Sequence, residues 1–397
     1  MKKIVSLALA IIMCVACACC FASCNNGSSD TLYIGVYEPA SGDNGAGGKQ
    51  ETLGVKYANS VKNTVTVAGK EYNVELVIVD NQSSNDKAIT AATELINKNA
   101  CVVLGSYGSG VSIAASDTFK EAGVPAIGIT CTNPNVTAGN SHYFRVCFLD
   151  PFQGTVLANY AKDLGATKAY VLAQKGNDYD VGLSSYFKTA FGEDNCVYEE
   201  FPEGNSDFTA YVQKAIDNNC TVIFAPTSTT YAQLIIDTAK SKNFGGTILA
   251  GDTWDSNVIV NAANGSSIDV QVTTFYQEGA NTTFDNGFVD WLKADDQRKT
   301  DNGGDYMVAA VSAMGYDAYM TALYAIEQCE SVDGIATARK NIMAALTAMN
   351  SASNAYTGVT GTIYFDATGD CVRDTAFIKK VDTANGVWSF VKEQKAS

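Results

Sequence analysis

The chain has 397 residues, 46% of them hydrophobic, and carries 42 acidic against 27 basic side chains for a formal net charge of −15. No Lys/Arg cluster interrupts that acidic balance, which excludes a nucleic-acid binder, because tracking phosphates takes a concentrated basic face. A single histidine, His142, and scattered cysteines without a CxxC pair beyond residue 24 argue against a zinc site.

Residues 1–24 read as an export leader: Lys2 and Lys3, an almost unbroken apolar run from Ile4 to Phe21, then Ala22-Ser23-Cys24. The small residues before Cys24 resemble a bacterial lipobox, so Cys24 is expected to become the lipidated first residue; an ordinary secreted protein with an incidental Cys24 is the other reading. Residues 25–30 are polar and form a flexible tether. No later apolar segment approaches the ~18 residues of a membrane span, so the body is expected to touch membrane only through its anchor, on the outer face of a bacterial membrane. Cys14, Cys17, Cys19 and Cys20 leave with the leader. Cys101, Cys131, Cys147, Cys196, Cys220, Cys329 and Cys371 read mostly as small buried residues, with one or two bridges left open.

The remaining stretch of about 370 residues is more than one core usually serves, so two domains are expected. Strand-like runs are Leu32 to Tyr37, Val74 to Asp80, Cys101 to Leu104, Ala126 to Ile129, Ala169 to Ala173, Val197 to Phe201, Thr221 to Ala225 and Thr247 to Ala250. Between them, Ala88, Ala91, Ala92, Leu95 and Ile96 keep helical spacing, as do Phe208, Tyr211, Val212, Ala215 and Ile216. Alternating strands and helices predict an α/β fold with mostly parallel, helix-covered sheets. The text also repeats. Asn99 to Gly105 and Asn219 to Ala225 match, and each leads into a Ser/Thr-rich turn, Ser106 to Ser109 and Pro226 to Thr229. Two similar lobes follow from that repeat.

Ligands of open parallel sheets bind beyond the carboxyl ends of the strands. The segments that would meet in one cleft are Ser106 to Ser109, Thr130 to Asn133, Asn177 to Asp180, Thr227 to Thr230 and Asp252 to Asp255. They hold hydroxyls and few charges, with no acid/base pair or Ser/His/Asp arrangement, so a binder without cofactor is expected and not an enzyme. Ser109, at a helix start between Gly108 and Gly110, either caps the helix or faces a carboxylate. Thr130 and Thr132 can supply hydroxyls or serve the turn. Asp252, ending a buried strand, wants a ligand ammonium, or else starts a turn. Tyr179 reads as an aromatic closing over the ligand or standing at the rim, and Tyr107 and Trp254 as further walls. The Gly-rich run from Glu38 to Gly48 matches no phosphate-binding fingerprint and reads as a loop at the cleft mouth.

These residues resemble the leucine-binding-protein family, the type I periplasmic solute-binding proteins of branched-chain amino acid ABC transporters. The likeness runs from Leu32 to Val391 and rests on Ile34-Gly35-Val36 with Ser41-Gly42, on Gly105 to Ser109, Pro125 to Thr132, Tyr179, Gly251-Asp252 and Gly315-Tyr316-Asp317-Ala318. It implies that Ser109, Thr130 and Thr132 hold the ligand's carboxylate and ammonium, that Asp252 completes the ammonium site and that Tyr179 closes it. It places Ser228 at a pocket position that is tyrosine in some relatives, and Gly47 where an aromatic is often found. Both departures enlarge or repolarise the side-chain pocket. It further implies three hinge crossovers near Cys147 to Pro151, Phe275 to Glu278 and Tyr356 to Gly361. Lobe I then comprises residues 31–148 plus 277–357 and lobe II residues 149–276 plus 358–394. The expected protein is a monomeric binder that captures a free amino acid and delivers it to a membrane permease. A sensor or binder of an amide, short acid or other small metabolite on the same fold is the alternative.

Overall fold

In the computed structural model, residues 30–396 are described. The expected leader, Cys24 and the tether through residue 29 lie outside the described residues. The first half runs β1 (Thr31–Glu38), α1 (Gly45–Val61), β2 (Thr64–Val67), β3 (Lys70–Asp80), α2 (Asn85–Asn97), β4 (Ala100–Leu104), α3 (Ser109–Glu121), β5 (Ala126–Gly128) and β6 (Tyr143–Arg145). Every residue of β4 is buried, as a parallel strand covered on both faces should be. Ala88, Ala91, Ala92 and Leu95 turn inward from α2, the face their spacing predicts. The strands form one sheet in the order β2-β3-β1-β4-β5-β6, parallel except for the β2–β3 hairpin.

Helix α4 (Asp150–Asp163) then leads into β7 (Ala169–Gln174), α5 (Asp178–Phe191), β8 (Cys196–Phe201), α6 (Thr209–Asp217), β9 (Val222–Phe224), α7 (Thr229–Ser241), β10 (Thr247–Ala250), α8 (Asn257–Ala263) and β11 (Asp269–Thr274). Their order is β8-β7-β9-β10-β11, all parallel. That is the order β3-β1-β4-β5-β6 of the first sheet written again. The repeat in the sequence is therefore a repeat of topology, and each sheet has its switch point beside its first strand.

After β11 the chain returns to the first sheet through α9 (Thr282–Lys293), α10 (Asp296–Asp301), α11 (Ala310–Glu327) and α12 (Ile335–Ala348). Helix α11 lies against α1 and α12 against β4. The α1–α11 approach is close because both helices present glycine: a Cβ on Gly54 would stand 1.9 Å from the Ser312 carbonyl, and one on Gly315 would stand 2.4 Å from the Glu51 carbonyl. The hairpin β12 (Tyr356–Gly358) and β13 (Gly361–Ile363) precedes β14 (Ala376–Asp382) and β15 (Val387–Gln394), which add antiparallel to the free side of β11.

The three stretches that pass between the sheets lie together. Phe148 and Phe275 pack with ring centroids 4.1 Å apart. Arg373 donates to the Val146 carbonyl at 2.7 Å and to the Thr360 carbonyl at 2.8 Å. Asp317, in the Gly-Tyr-Asp-Ala motif, accepts from Val359 N at 2.8 Å, Thr360 N at 2.7 Å and the Thr360 hydroxyl at 2.6 Å. The motif thus fastens the β12–β13 turn to α11.

Several elements differ from expectation. Strands β2, β6, β11, β14 and β15 are not distinguished in the sequence as runs of their own, and residues 45–48 begin α1 instead of continuing the loop, since Gly45 N bonds the Gly42 carbonyl at 3.0 Å and starts the turn. Among the described residues all seven cysteines are free and six are buried. No helix among them is long and apolar enough to cross a membrane.

Candidate functional site

The carboxyl ends of the two sheets face each other, joined by hydrogen bonds from side to side. Tyr107 Oη donates to the Thr253 carbonyl at 2.8 Å and Asn133 Nδ2 to the Asp178 carbonyl at 2.8 Å. Gln50 on α1 donates to Asn257 at 3.2 Å and accepts from the Ser256 hydroxyl at 3.0 Å. Between them lies a small cavity of about 50 Å³ whose lining includes Asn44, Tyr107, Gly108, Val111, Tyr179, Ser228 and Thr253.

Ser109 is the first residue of α3, 2% exposed, and its Oγ accepts from Asn133 N at 3.2 Å. The first N–H groups of that helix have no carbonyl a turn earlier to bond. Thr132 is wholly buried, with its hydroxyl beside the Asp150 carboxylate. Thr130 donates its hydroxyl to Glu51 Oε1 at 2.5 Å. That bond occupies the proton a ligand carboxylate would need from it.

From the second half, Asp252 opens the turn after β10 and is 1% exposed. Its Oδ1 accepts from Gln153 Nε2 at 2.8 Å and from Tyr179 Oη at 3.1 Å. Asn177 caps α5 by accepting from Tyr179 N and Asp180 N at 3.1 and 3.2 Å, which fixes the Tyr179 ring over the cleft. Burial and the Asp252 charge raise the Tyr179 hydroxyl well above its ordinary range, so it stays a donor. Ser228 lines the cavity with an unpartnered hydroxyl.

Trp254 is not brought to the cavity. It is fully buried in the core of the second sheet, where its indole N–H donates to the Thr227 carbonyl at 2.9 Å. An indole needs both apolar cover and one acceptor, and that core supplies both. Tyr107 does stand in the wall. Its ring fills the space beside Gly47, where an added Cβ would come within 2.3 Å of it. Tyr107, from the turn after β4, thus occupies the space that a side chain at position 47 would take.

The sequence did not reveal three further buried acids near the cleft. Glu38 ends β1, Glu51 lies on α1 and Asp150 opens α4; their exposures are 1%, 0% and 0%. Glu38 accepts from Tyr107 N at 2.7 Å and faces Glu51 closely enough to share a proton with it. The Thr132 hydroxyl is the side-chain donor beside the Asp150 carboxylate and the Arg145 charge favours it, while Gln153 Oε1 has no partner. Desolvation pushes Glu51 up to about 8, Asp150 up to about 8 and Asp252 up to about 7, and Glu38 well above the usual carboxylate range. The only signal in the text is an acid on the small-residue face of α1, amid Gly47, Gly48 and Gly54. No cluster of metal-ligating side chains occurs among the described residues.

A family model described as "Periplasmic binding protein" matches residues 31–386. The chain is 31% identical to a leucine-binding protein LivK from Thermotoga maritima, with a TM-score of 0.79 over 92% of this chain and 99% of that one. It is 27% identical to a Leu/Ile/Val-binding protein homolog from Brucella abortus over 66% of this chain and 72% of that protein. A Rhodopseudomonas palustris solute-binding protein crystallised with benzoate shares the fold, at 19% identity and a TM-score of 0.77 over 92% of this chain and 96% of that one. With a match that runs from the start of β1 to the turn before β15 and includes all the passages between the sheets, the chain belongs to the periplasmic binding protein family, the non-enzymatic solute receptors of ABC transporters that work outside the cytoplasm.

Proposed function

We propose that the protein captures a free amino acid between its two sheets and hands it to the permease of an ABC importer. The observation that carries this reading is Asp252: a carboxylate 1% exposed at the cleft, bonded by Gln153 and Tyr179 but facing no basic side chain among its bonded partners. A buried charge of that kind is costly until a cation meets it, and a ligand ammonium would be that cation. Ser109, with its hydroxyl proton free, and the first N–H groups of α3 are the donors proposed for the ligand carboxylate, with Thr132 shared between it and Asp150. The names of the leucine-binding relatives support the same class of ligand. The passages near Cys147 to Pro151, Phe275 to Glu278 and Tyr356 to Gly361 are proposed as the hinge, with residues 31–148 plus 277–357 and residues 149–276 plus 358–394 as the moving lobes. A lipid on Cys24 would hold the receptor beside its permease.

Thermal unfolding in the presence of each common amino acid tests this, since a ligand of the folded state raises the midpoint. A shift with some free amino acids, lost in Asp252→Asn, is expected. No response to any amino acid would overturn the reading.

A further inference from the structure

The cavity between the sheets is ringed by helix beginnings. Asn44 stands immediately before α1, Gly108 before α3, Asn177 before α5 and Ser228 before α7, and all four line it. The first N–H groups of a helix have no carbonyl a turn earlier to bond, and the residue in front normally offers them a side-chain acceptor. Asn177 does so, accepting from Tyr179 N and Asp180 N. Gly108 has no side chain to offer. Asn44 and Ser228 are of the right type, yet neither side chain bonds its own helix.

Nor do these two side chains find a partner elsewhere. Ser228 is 4% exposed and its hydroxyl is unbonded; the amide oxygen of Asn44 is likewise buried and unbonded. Their backbones are nonetheless held. Asn44 N donates to the Ser83 hydroxyl at 3.1 Å, and the Ser228 carbonyl accepts from Ala232 N at 2.9 Å. The hydroxyls of Thr229 and Thr230 reach the Asp43 carbonyl at 3.3 and 3.2 Å, which sets the start of α7 beside the start of α1 across the cleft. Neighbouring polar groups of the wall are spent inside the protein. Tyr107 Oη goes to the Thr253 carbonyl, Thr253 Oγ1 to the Thr227 carbonyl at 3.2 Å and Tyr179 Oη to Asp252, while Asp180 accepts from Gln174 N at 3.0 Å.

A buried acceptor and a buried hydroxyl on the two sides of one cavity are costly until a ligand meets them. Asn44 Oδ1 needs a donor, and the Ser228 hydroxyl can donate or accept. No side chain lining the cavity is basic among the described residues, so a carboxylate there would find no counter-charge. The volume of about 50 Å³ favours a short group. Resting on the amino-acid reading above, we infer that the ligand's side chain is short and ends in a hydroxyl or carboxamide, and that Ser228 and Asn44, one from each half of the cleft, select it. Serine, threonine and asparagine carry such an end, which donates and accepts at once. An aliphatic side chain would leave both atoms unmet, and a site built to bond a polar group rejects the apolar analogue strongly.

The test is calorimetric titration of the purified protein with three pairs of similar shape, serine and alanine, threonine and valine, asparagine and leucine, together with aspartate and lysine. At least one polar member should bind about tenfold or more tighter than its apolar partner. Preference in the threonine pair would name the hydroxyl, and preference in the asparagine pair the carboxamide. Ser228→Ala should erase most of that preference by weakening the polar member alone. Its ligand-free melting midpoint should stay unchanged, because the hydroxyl makes no bond within the protein. Asn44→Ala, read in the same way, serves should the first variant fail to fold. Valine or leucine binding as tightly as its polar partner, or aspartate or lysine binding tightest, would overturn the inference and leave the amino-acid reading standing. So would a preference that survives in both variants. No binding by any amino acid would sink the amino-acid reading and this inference with it.

Discussion

Arg145 and Asp150 are neighbours in sequence and both are buried, yet they live by opposite rules. Around Arg145, where the chain passes between the sheets, each buried charge has its partners in the protein: the guanidinium spends its N–H groups on Asp370, Thr137 and backbone carbonyls, and Asp317 is satisfied by the β12–β13 turn. Asp150, by contrast, has the Thr132 hydroxyl beside it and no cation bonded to it, and burial lifts it to about 8. A charge paired with an opposite charge rigidifies its surroundings, whereas a buried acid held by one hydroxyl stays largely protonated instead. The contrast separates buried acids that are paired with a cation from those that are not.

Breaking the paired side should have the largest effect. Asp370→Asn leaves Arg145 buried without its counter-charge, and a loss of about 3–5 kcal/mol of stability is expected in denaturant titration. An unchanged midpoint would show that the passage region tolerates an unpaired charge and would collapse the contrast.

The pH response of the ligand-free protein sharpens the unpaired side. Asp252 rises from an ordinary 3.8 to about 7, and Asp150 from 3.8 to about 8. Such acids hold more protons folded than unfolded between those limits, so stability falls as pH climbs through that window. Each group can contribute a slope of up to about 1.4 kcal/mol per pH unit. Glu51, raised from 4.5 to about 8, acts in the same direction. Melting points that rise from pH 5 to pH 8 without ligand would show that these carboxyls already have cations.

The smallest effect is expected from Tyr107→Phe. It removes one hydrogen bond to the Thr253 carbonyl between the sheets, worth about 0.5–1.5 kcal/mol. The loss should appear chiefly as weaker ligand retention in a dissociation-rate measurement, and a dissociation rate equal to that of the wild type would show that this bond does not hold the cleft together.

Much of the fold is legible in the text because parallel strands buried on both faces carry unbroken apolar runs. Leu32 to Tyr37 and Thr247 to Ala250 are examples, and each falls within an observed strand. Strand β6 escapes because it is only Tyr143-Phe144-Arg145 and ends on a buried charge. The β14–β15 hairpin escapes because Lys379 and Lys380 break its pattern, although Lys379 is buried on Asp255. In the site, Asp252 and Tyr179 are visible because they follow strand ends, where ligands gather in such folds. Glu51 and Asp150 are not, because the second turn of α1 and the first turn of α4 read as ordinary amphipathic surface until tertiary packing covers them. Trp254 misleads for the converse reason: its position beside Asp252 suggests a wall, but side-chain direction takes it into the core.

The packing of Tyr107 against Gly47 also limits how this receptor can change its diet. No side chain at position 47 can be accepted while the ring is there, since even a methyl group would overlap it. A route to an aromatic at position 47 therefore starts with a smaller residue at 107, at the expense of the hydroxyl that reaches Thr253. Mutational paths toward a new ligand are ordered, and the first step is one that loosens the grip before any new contact is gained.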